Sequence, residues 1–529
     1  MLKVHEYVTL FGQFVTFGDY FLNASMADSA TVTYASEYNS RSLQRSMQTR
    51  TTNPISNSIR QFERRGSWES FATLASISNM LSPVAVNDVD IPEEQMESDS
   101  PGVSALLQEK LSAKARELSD VVLRGATGRR GYLAFNPTAA TRRAGLIVED
   151  AIATSVVGGP IRQVQPTKSG TAVVVDIPGF GFAWIPAGND QDRDEAESAA
   201  NTALRTQSLA PAIANGKRLR NEFVELEIDS STGGIRGLWT LPGGYSRLAQ
   251  RLVLGQAGDA RCDGHEITAS GPAFSEIITI GRLVKSEQTF ASFSQRVRVW
   301  AGTPIIELAI SIEPASDAPT FAAQEYIACR WAWPDEKSTM MTSDGYWLLA
   351  NGGEEIETTS LIEIRERNIV TQILTDGLVE HRRDSARMTD TILQIAGETA
   401  TEFQMRIGLD LRHPMVAVQH AFRPPVVSAV EHGPPRVGRS SWFVNLTPAN
   451  VICAQLRPVS LDEGCGIQMH LVETAGVSSK TKIRFAKTPS EARLVTGGGD
   501  LVYNLSIEDD AVTLDLSSSE YVIIEVLFP

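Results

Sequence analysis

From Gly131 onward this chain is written in short phrases that alternate apolar and polar residues and close on Gly, Pro, Asn or Ser. A two-residue period places one set of side chains on each face of a strand, so such a text folds as sheets with one face buried. Thr171-Ala-Val-Val-Val-Asp176, Phe223-Val-Glu-Leu-Glu-Ile228, Phe293-Ser-Gln-Arg-Val-Arg-Val-Trp300, Ile305-Ile-Glu-Leu-Ala-Ile310, Thr401-Glu-Phe-Gln-Met-Arg-Ile407 and Tyr521-Val-Ile-Ile-Glu-Val-Leu-Phe528 all read this way. Convincing helical periods are few after residue 217, and no repeat emerges at solenoid spacing. At 529 residues the chain is too long for one ordinary domain, so the strands are expected to form β-sandwich upon β-sandwich.

The text before Gly131 has another period. Trp68, Phe71, Leu74, Ile77 and Leu81 recur at three- and four-residue steps, which predicts an amphipathic helix over 58–81 stopped by Pro83. A second helix is expected after Ser104 as N-cap, with Leu107, Leu111, Leu118 and Val122 on one face and Gly125 near its end. The resulting division is 1–57, an irregular connection; 58–126, a helical module with an acidic linker at 83–103; 127–188, a small β domain; 189–216, a polar linker. A large β-sandwich at 217–424 and a C-terminal β-sandwich at 425–529 complete it, parted where Pro424, Pro425, Pro434 and Pro435 cluster.

The balance of 48 basic against 63 acidic residues gives a net charge of −15. That argues against nucleic acid, whose phosphates need clustered Lys and Arg, and suits an uncharged ligand such as a sugar. Cys262, Cys329, Cys453 and Cys465 stand far apart and read as buried free thiols of a reducing compartment. No apolar run approaches membrane-spanning length, and the first residues lack the regions of a signal peptide, so the expected location is cytoplasmic, away from membranes.

The ordered series of phrases resembles the carboxy-terminal β region of glycoside hydrolase family 38, the α-mannosidases. Leu133-Ala-Phe-Asn-Pro137 is similar to the opening β phrase of that region, Ile177-Pro-Gly-Phe-Gly-Phe-Ala183 to its closing one, and Glu222–Leu238 to the first strands of its large sandwich. Ser286-Glu-Gln-Thr-Phe290 and Trp300-Ala-Gly-Thr-Pro-Ile-Ile-Glu-Leu308 resemble its central strands. Val451-Ile-Cys-Ala-Gln-Leu-Arg-Pro458 and Met469-His-Leu-Val-Glu-Thr474 resemble its last domain. The series spans about residues 130–529. Phe14-Val-Thr-Phe-Gly-Asp-Tyr-Phe21 is similar to the segment leaving the catalytic barrel, and 104–124 to the last helix of the middle bundle. The resemblance implies a mainly β fold with a large galactose-mutarotase-like supersandwich, smaller β-sandwich domains and a short helical module before them. It also implies the hydrolysis of α-mannosidic bonds with zinc.

The zinc of that family belongs to an upstream catalytic domain, with a His-x-Asp pair, a nucleophilic Asp and a His from the middle helices. This chain has no His-x-Asp, and residues 23–124 contain no histidine. No metal ligand and no catalytic residue is therefore assigned, and no cofactor is expected in this chain. The reading is the C-terminal portion of an α-mannosidase-like hydrolase, not catalytic on its own, with a mannose-containing glycan as ligand and a catalytic-domain chain as partner. The competing readings are a non-catalytic carbohydrate-binding or structural module, and an epimerase or lyase on a similar sandwich. The latter needs acid–base groups converging near His381 or His265.

The sharpest candidate site is Gly377-Leu-Val-Glu-His-Arg-Arg-Asp-Ser-Ala-Arg-Met388, which resembles the family loop reaching toward the sugar. Arg382, Arg383 and Arg387 offer planar donor forks to hydroxyls, and Asp384 accepts. The plainer alternative is a solvated strand end whose ion pairs contribute at most ~1 kcal/mol each. Trp331, Trp333, Tyr346 and Trp347 invite sugar stacking, but core packing is the simpler expectation. The acid pairs Glu354-Glu355, Asp462-Glu463 and Asp509-Asp510 read as solvated turns, and Gly497-Gly-Gly499 as a turn rather than a phosphate loop.

Overall fold

Ile55 leaves the helical module and inserts its side chain into the core of the large sandwich, and the architecture follows from that attachment. The computed structural model describes residues 52–82, 101–149, 159–188, 209–255, 258–315, 321, 325–461 and 464–529, all within one compact unit, Leu43–Pro529. The expectations for 1–51, for most of the linkers at 83–103 and 189–216, and for Asp462-Glu463 lie outside the described residues.

Helix α1, Ser56–Leu81, is 26 residues long and so spans about 39 Å at 1.5 Å per residue. Its first turn is held by Glu398, on a turn of the large sandwich. Glu398 Oε2 accepts from the Ile55 and Ser56 amides at 2.9 and 3.0 Å, and Oε1 accepts from Ser56 Oγ at 2.7 Å. A carboxylate from elsewhere in the fold thus does the work that an N-cap side chain normally does. The amphipathic stripe expected for this helix is incomplete as a description, since every residue from Trp68 through Met80 is buried. Small polar residues make that tolerable: Ser70 Oγ donates to the Gly66 carbonyl and Ser76 Oγ to the Ala72 carbonyl, both at 2.8 Å. Phe71, Leu74, Ile77 and Met80 join the core of the C-terminal sandwich.

Helix α2, Pro101–Val122, starts three residues before the expected N-cap. Proline suits the first turn, where its missing N–H has no helical partner. Ser104 therefore lies inside the helix, and its Oγ accepts from Arg64 Nε of α1 at 2.9 Å. Gly125 adopts φ +71° where the chain leaves this helix. Helix α3, Pro414–Phe422, was not expected within a β region; its nine residues are too few for a clear period.

The β expectation is met, with antiparallel pairing throughout the described strands. The strands from Ile213–Asn215 to Glu402–Leu409 close on themselves around one apolar core as the large sandwich. Its first strand lies in the tail of the segment read as a linker. The Asp229–Gly234 turn joins its early strands; Asp229 Oδ1 accepts from the Ser231 amide at 2.7 Å, and Gly233 takes φ +76°. A three-stranded sheet follows the helices, and two sheets of four and five strands face each other over the C-terminal core.

One sheet crosses the boundary expected near residue 424. Gly131–Asn136 pairs with Gly181–Pro186 on one side and with Val426–Val430 on the other. The phrase before the large sandwich and the phrase after it are neighbouring strands, so 127–188 is not a separate unit.

Helix α1 crosses α3 at Gly66, where a Cβ would lie 2.1 Å from the Phe422 carbonyl oxygen. In an exposed helix Gly→Ala is worth about 1 kcal/mol of stabilisation. Gly66→Ala is instead expected to destabilise by about 1–3 kcal/mol through overpacking against backbone, read as a lower thermal midpoint.

Candidate functional site

The Gly377–Met388 phrase forms the first strand of a hairpin, Glu380–Ser385 against Met388–Ile395, and alternation decides what each side chain meets. His381 points into the sandwich and is fully buried, with Nδ1 3.1 Å from Thr391 Oγ1 and Nε2 3.4 Å from the Thr358 carbonyl. Burial pushes its imidazole down to about 4, so it is neutral at ordinary pH.

Each of the four candidate residues has partners of its own among the described residues. Arg382 Nη2 donates to Glu354 Oε1 at 3.0 Å. Arg383 folds over its own turn, donating to the carbonyls of Ser385 and Ala386 at 3.3 Å and of Asn351 at 3.4 Å. Arg387 Nη1 donates to the Pro334 carbonyl at 3.2 Å and lines a 250 Å³ depression with Ser246, Trp333 and Met388. Asp384 faces Arg330 Nη2 at 3.1 Å.

Arg330 links the surface to the interior. Its Nε and Nη2 grip fully buried Asp390 at 2.7 and 2.8 Å, and the Tyr326 hydroxyl donates to Asp390 Oδ2 at 3.0 Å. The hydrogen bond and charge of Asp390 hold the guanidinium well above its ordinary value, while burial raises the Tyr326 phenol. Trp331 belongs to the same core, its indole donating to Thr391 Oγ1 at 3.0 Å, and Trp333 is buried beside it.

A second site was not visible in the sequence. Between α1, α3, loops of the large sandwich and strand Val451–Leu461 lies a cavity of about 420 Å³. Arg65 and Glu69 reach it from α1, Arg423 from the end of α3, Tyr346 and Gly377 from the large sandwich, and Gln455 from the C-terminal sheet. Glu69 and Arg423 are only 2% and 1% exposed. Among the described residues, Glu69 Oε2 and Arg423 Nε and Nη1 have no hydrogen-bond partner; Arg423 Nη2 donates to the Ala454 carbonyl. A buried polar atom left unpaired costs about 1–3 kcal/mol. Burial raises the Glu69 carboxyl above its ordinary range, against the pull of Arg423, Arg457 and Arg65 and a side-chain hydrogen bond with Gln455. Glu69 hides in sequence between Trp68 and Ser70 on a helix read as a stripe, and Arg423 beside a proline cluster read as a domain boundary. A charged residue inside an apolar run was the available signal.

Among the described residues no three His, Cys, Asp or Glu side chains come together as a metal group. His265 and His432 are exposed, His420 lies near the Ala140 carbonyl, and His470 bonds Tyr521 and Gln468. His381 meets threonines rather than a carboxylate. All four cysteines are free thiols. Among the described residues no helix is long and apolar enough to cross a membrane.

No protein-family model and no curated protein matches this sequence. Solved structures do match. A glycosyl hydrolase family 38 protein from Enterococcus faecalis aligns at TM-score 0.62 and 9% identity, over 89% of this chain and 71% of its own. An α-mannosidase from Enterococcus faecalis V583 aligns at TM-score 0.61 and 9% identity, over 91% of this chain and 69% of its own. The chain has the fold of these family 38 proteins, as the resemblance implied.

Two outcomes follow from this geometry. Asp390→Ala is expected to cost about 3–5 kcal/mol, because it strands Arg330 and Tyr326, and denaturant melts measure it. His381 is held near 4 when folded against 6.5 as its ordinary value, so the unfolded chain takes up its proton first on acidification. Stability is therefore complete above about pH 6.5 and lost toward pH 4, by up to roughly 3 kcal/mol from this residue. His470, also near 4, adds to the same slope, and His381→Asn should flatten it in pH-dependent melts without abolishing it.

Proposed function

We propose that this chain is the C-terminal portion of an α-mannosidase-like glycoside hydrolase, a scaffold that engages a mannose-containing glycan and does not hydrolyse it alone. The observation that carries the reading is the likeness to the family 38 fold extending over 89% of the chain. Zinc supplies Lewis-acid and sugar-orienting chemistry in such enzymes. The donors for it do not meet among the described residues, so no step is routed through it here. A catalytic-domain chain is the partner that would provide that centre.

Within this reading the hairpin supplies the sugar contacts. Arg382 is best placed to turn outward, since its partner Glu354 is 73% exposed and an exposed pair is weak. Arg383 and Arg387 present their forks beside it, and Asp384 accepts while Arg330 keeps it oriented. The carbohydrate-binding alternative has its own support in the polar cavity at the seam, which needs no catalytic partner.

The test is the zinc content of the purified chain and its hydrolysis of a chromogenic α-mannoside, with and without chelator. Neither stoichiometric zinc nor chelator-sensitive turnover is expected, while a mannose-rich oligosaccharide binds and Arg382→Ala weakens that binding about tenfold. Chelator-sensitive hydrolysis would overturn the reading, and undiminished binding in Arg382→Ala and Arg383→Ala would remove the hairpin from the site.

A further inference from the structure

We infer that the seam cavity between α1, α3 and the C-terminal sheet is a site for an acidic sugar, with Arg65 receiving its phosphate or carboxylate group and Tyr346 beside it. The sugar body follows the carbohydrate reading above; the anionic group follows from the charges of the cavity alone.

At about 420 Å³ the cavity falls within the ~300–1,000 Å³ typical of small-molecule sites. Three guanidiniums stand around it against one carboxylate. Arg65 and Arg423 line it, Arg457 acts on Glu69 from the C-terminal sheet, and Glu69 is the one acid among the lining residues. Glu69 is 2% exposed, hydrogen-bonded to Gln455 and pushed by burial toward its neutral form. The local balance is therefore positive, in a chain whose net charge is −15. Distant charges are screened beyond about 8 Å at physiological salt, so the local balance decides what the cavity attracts.

The groups that meet the ligand are those left open. Arg65 is exposed, and no acceptor among the described residues takes the donors of its planar fork. Tyr346 is half-buried, and its hydroxyl is unpaired among the described residues without being sealed into the packing. Burial raises this phenol above its ordinary value, so it stays protonated and donates to an oxyanion. Arg423, at 1% exposure, lends charge rather than contact.

A cation would meet three like charges. A neutral ligand would strip water from Arg65 and return no charge, a poor exchange for an ionised group. A phosphate or carboxylate instead accepts two parallel N–H bonds from the guanidinium, the stronger kind of hydrogen bond. The remaining walls suit a ring. Phe62 and Phe422, with centroids 4.8 Å apart, offer apolar faces, and Ser58 and Ser360 add hydroxyls.

The experiment is calorimetric titration and thermal melting of the whole chain at one ionic strength held with chloride. The probes are D-mannose 6-phosphate, D-glucuronate, inorganic phosphate and D-mannose. The variants are Arg65→Gln, which removes the open charge, Tyr346→Phe, which removes only a hydroxyl, and Arg382→Ala in the hairpin. Wild type should bind at least one acidic sugar, more tightly than inorganic phosphate, and melt higher in its presence. Arg65→Gln should weaken that binding at least about tenfold and Tyr346→Phe about threefold, with Arg382→Ala unchanged. Any D-mannose binding should be indifferent to Arg65→Gln.

Failure of both acidic sugars to bind wild type would overturn the inference. Equal binding in wild type and Arg65→Gln would do the same, marking a general salt effect, as would loss in Arg382→Ala alone. Inorganic phosphate binding as tightly as both sugars would remove the sugar body while leaving the hairpin reading untouched. If Arg65→Gln fails to fold, Tyr346→Phe decides by the same comparison.

Discussion

The approach of helix α1 to the carbonyl of Phe422 is the constraint on which the arrangement depends. Only a residue without a side chain allows it, because any Cβ at Gly66 would fall inside the oxygen's contact distance. From that crossing α1 runs in two directions with two kinds of attachment. Toward its start Ile55 is buried in the large sandwich and Glu398 holds the first amides. Toward its end Phe71 to Met80 are buried in the C-terminal core. One rigid rod therefore sets the spacing of two sandwiches, and the cavity is the space left where the rod meets α3.

Buried charge in this protein falls into two groups with different consequences. Around Asp390 every strong donor is matched, and the Tyr326–Asp390–Arg330–Asp384 chain fixes the hairpin that carries the candidate arginines. Arg142 is likewise spent on structure; its guanidinium caps α3 by donating to the Arg423 and His420 carbonyls at 2.6 and 2.5 Å. Burial lowers it to about 9. Around Glu69 the matching is incomplete. Networks of the first kind rigidify, whereas a buried group left unpaired costs stability.

Strands were legible because a period of two survives in short stretches, as in Phe293–Trp300, and because Gly and Asp mark the turns. The ordered phrases also carried the fold, since Leu133–Pro137 and Ile177–Ala183 are strand partners and must be present together. What escaped was set by distant partners. Helix α3 is too short to show a period, and Pro101 reads equally well as a breaker or as a first-turn residue. Of the arginines in the hairpin, the sequence reading could name their chemistry but not their neighbours; Arg383 spends its donors on its own turn. Glu69 and Arg423 are 354 residues apart, a distance no local pattern spans.

The pairing of Gly131–Asn136 with Val426–Val430 makes the large sandwich an insert within a discontinuous host domain. A ribosome adds about 5–20 residues per second, so the 290 residues between Phe135 and Val426 take roughly 15–60 s to appear. Throughout that interval one edge of the Gly131–Asn136 strand has no partner to receive its backbone hydrogen bonds. Open edges of this kind template pairing with other chains. The insert is complete before the host strand arrives, so the large sandwich can close before the sheet that anchors it.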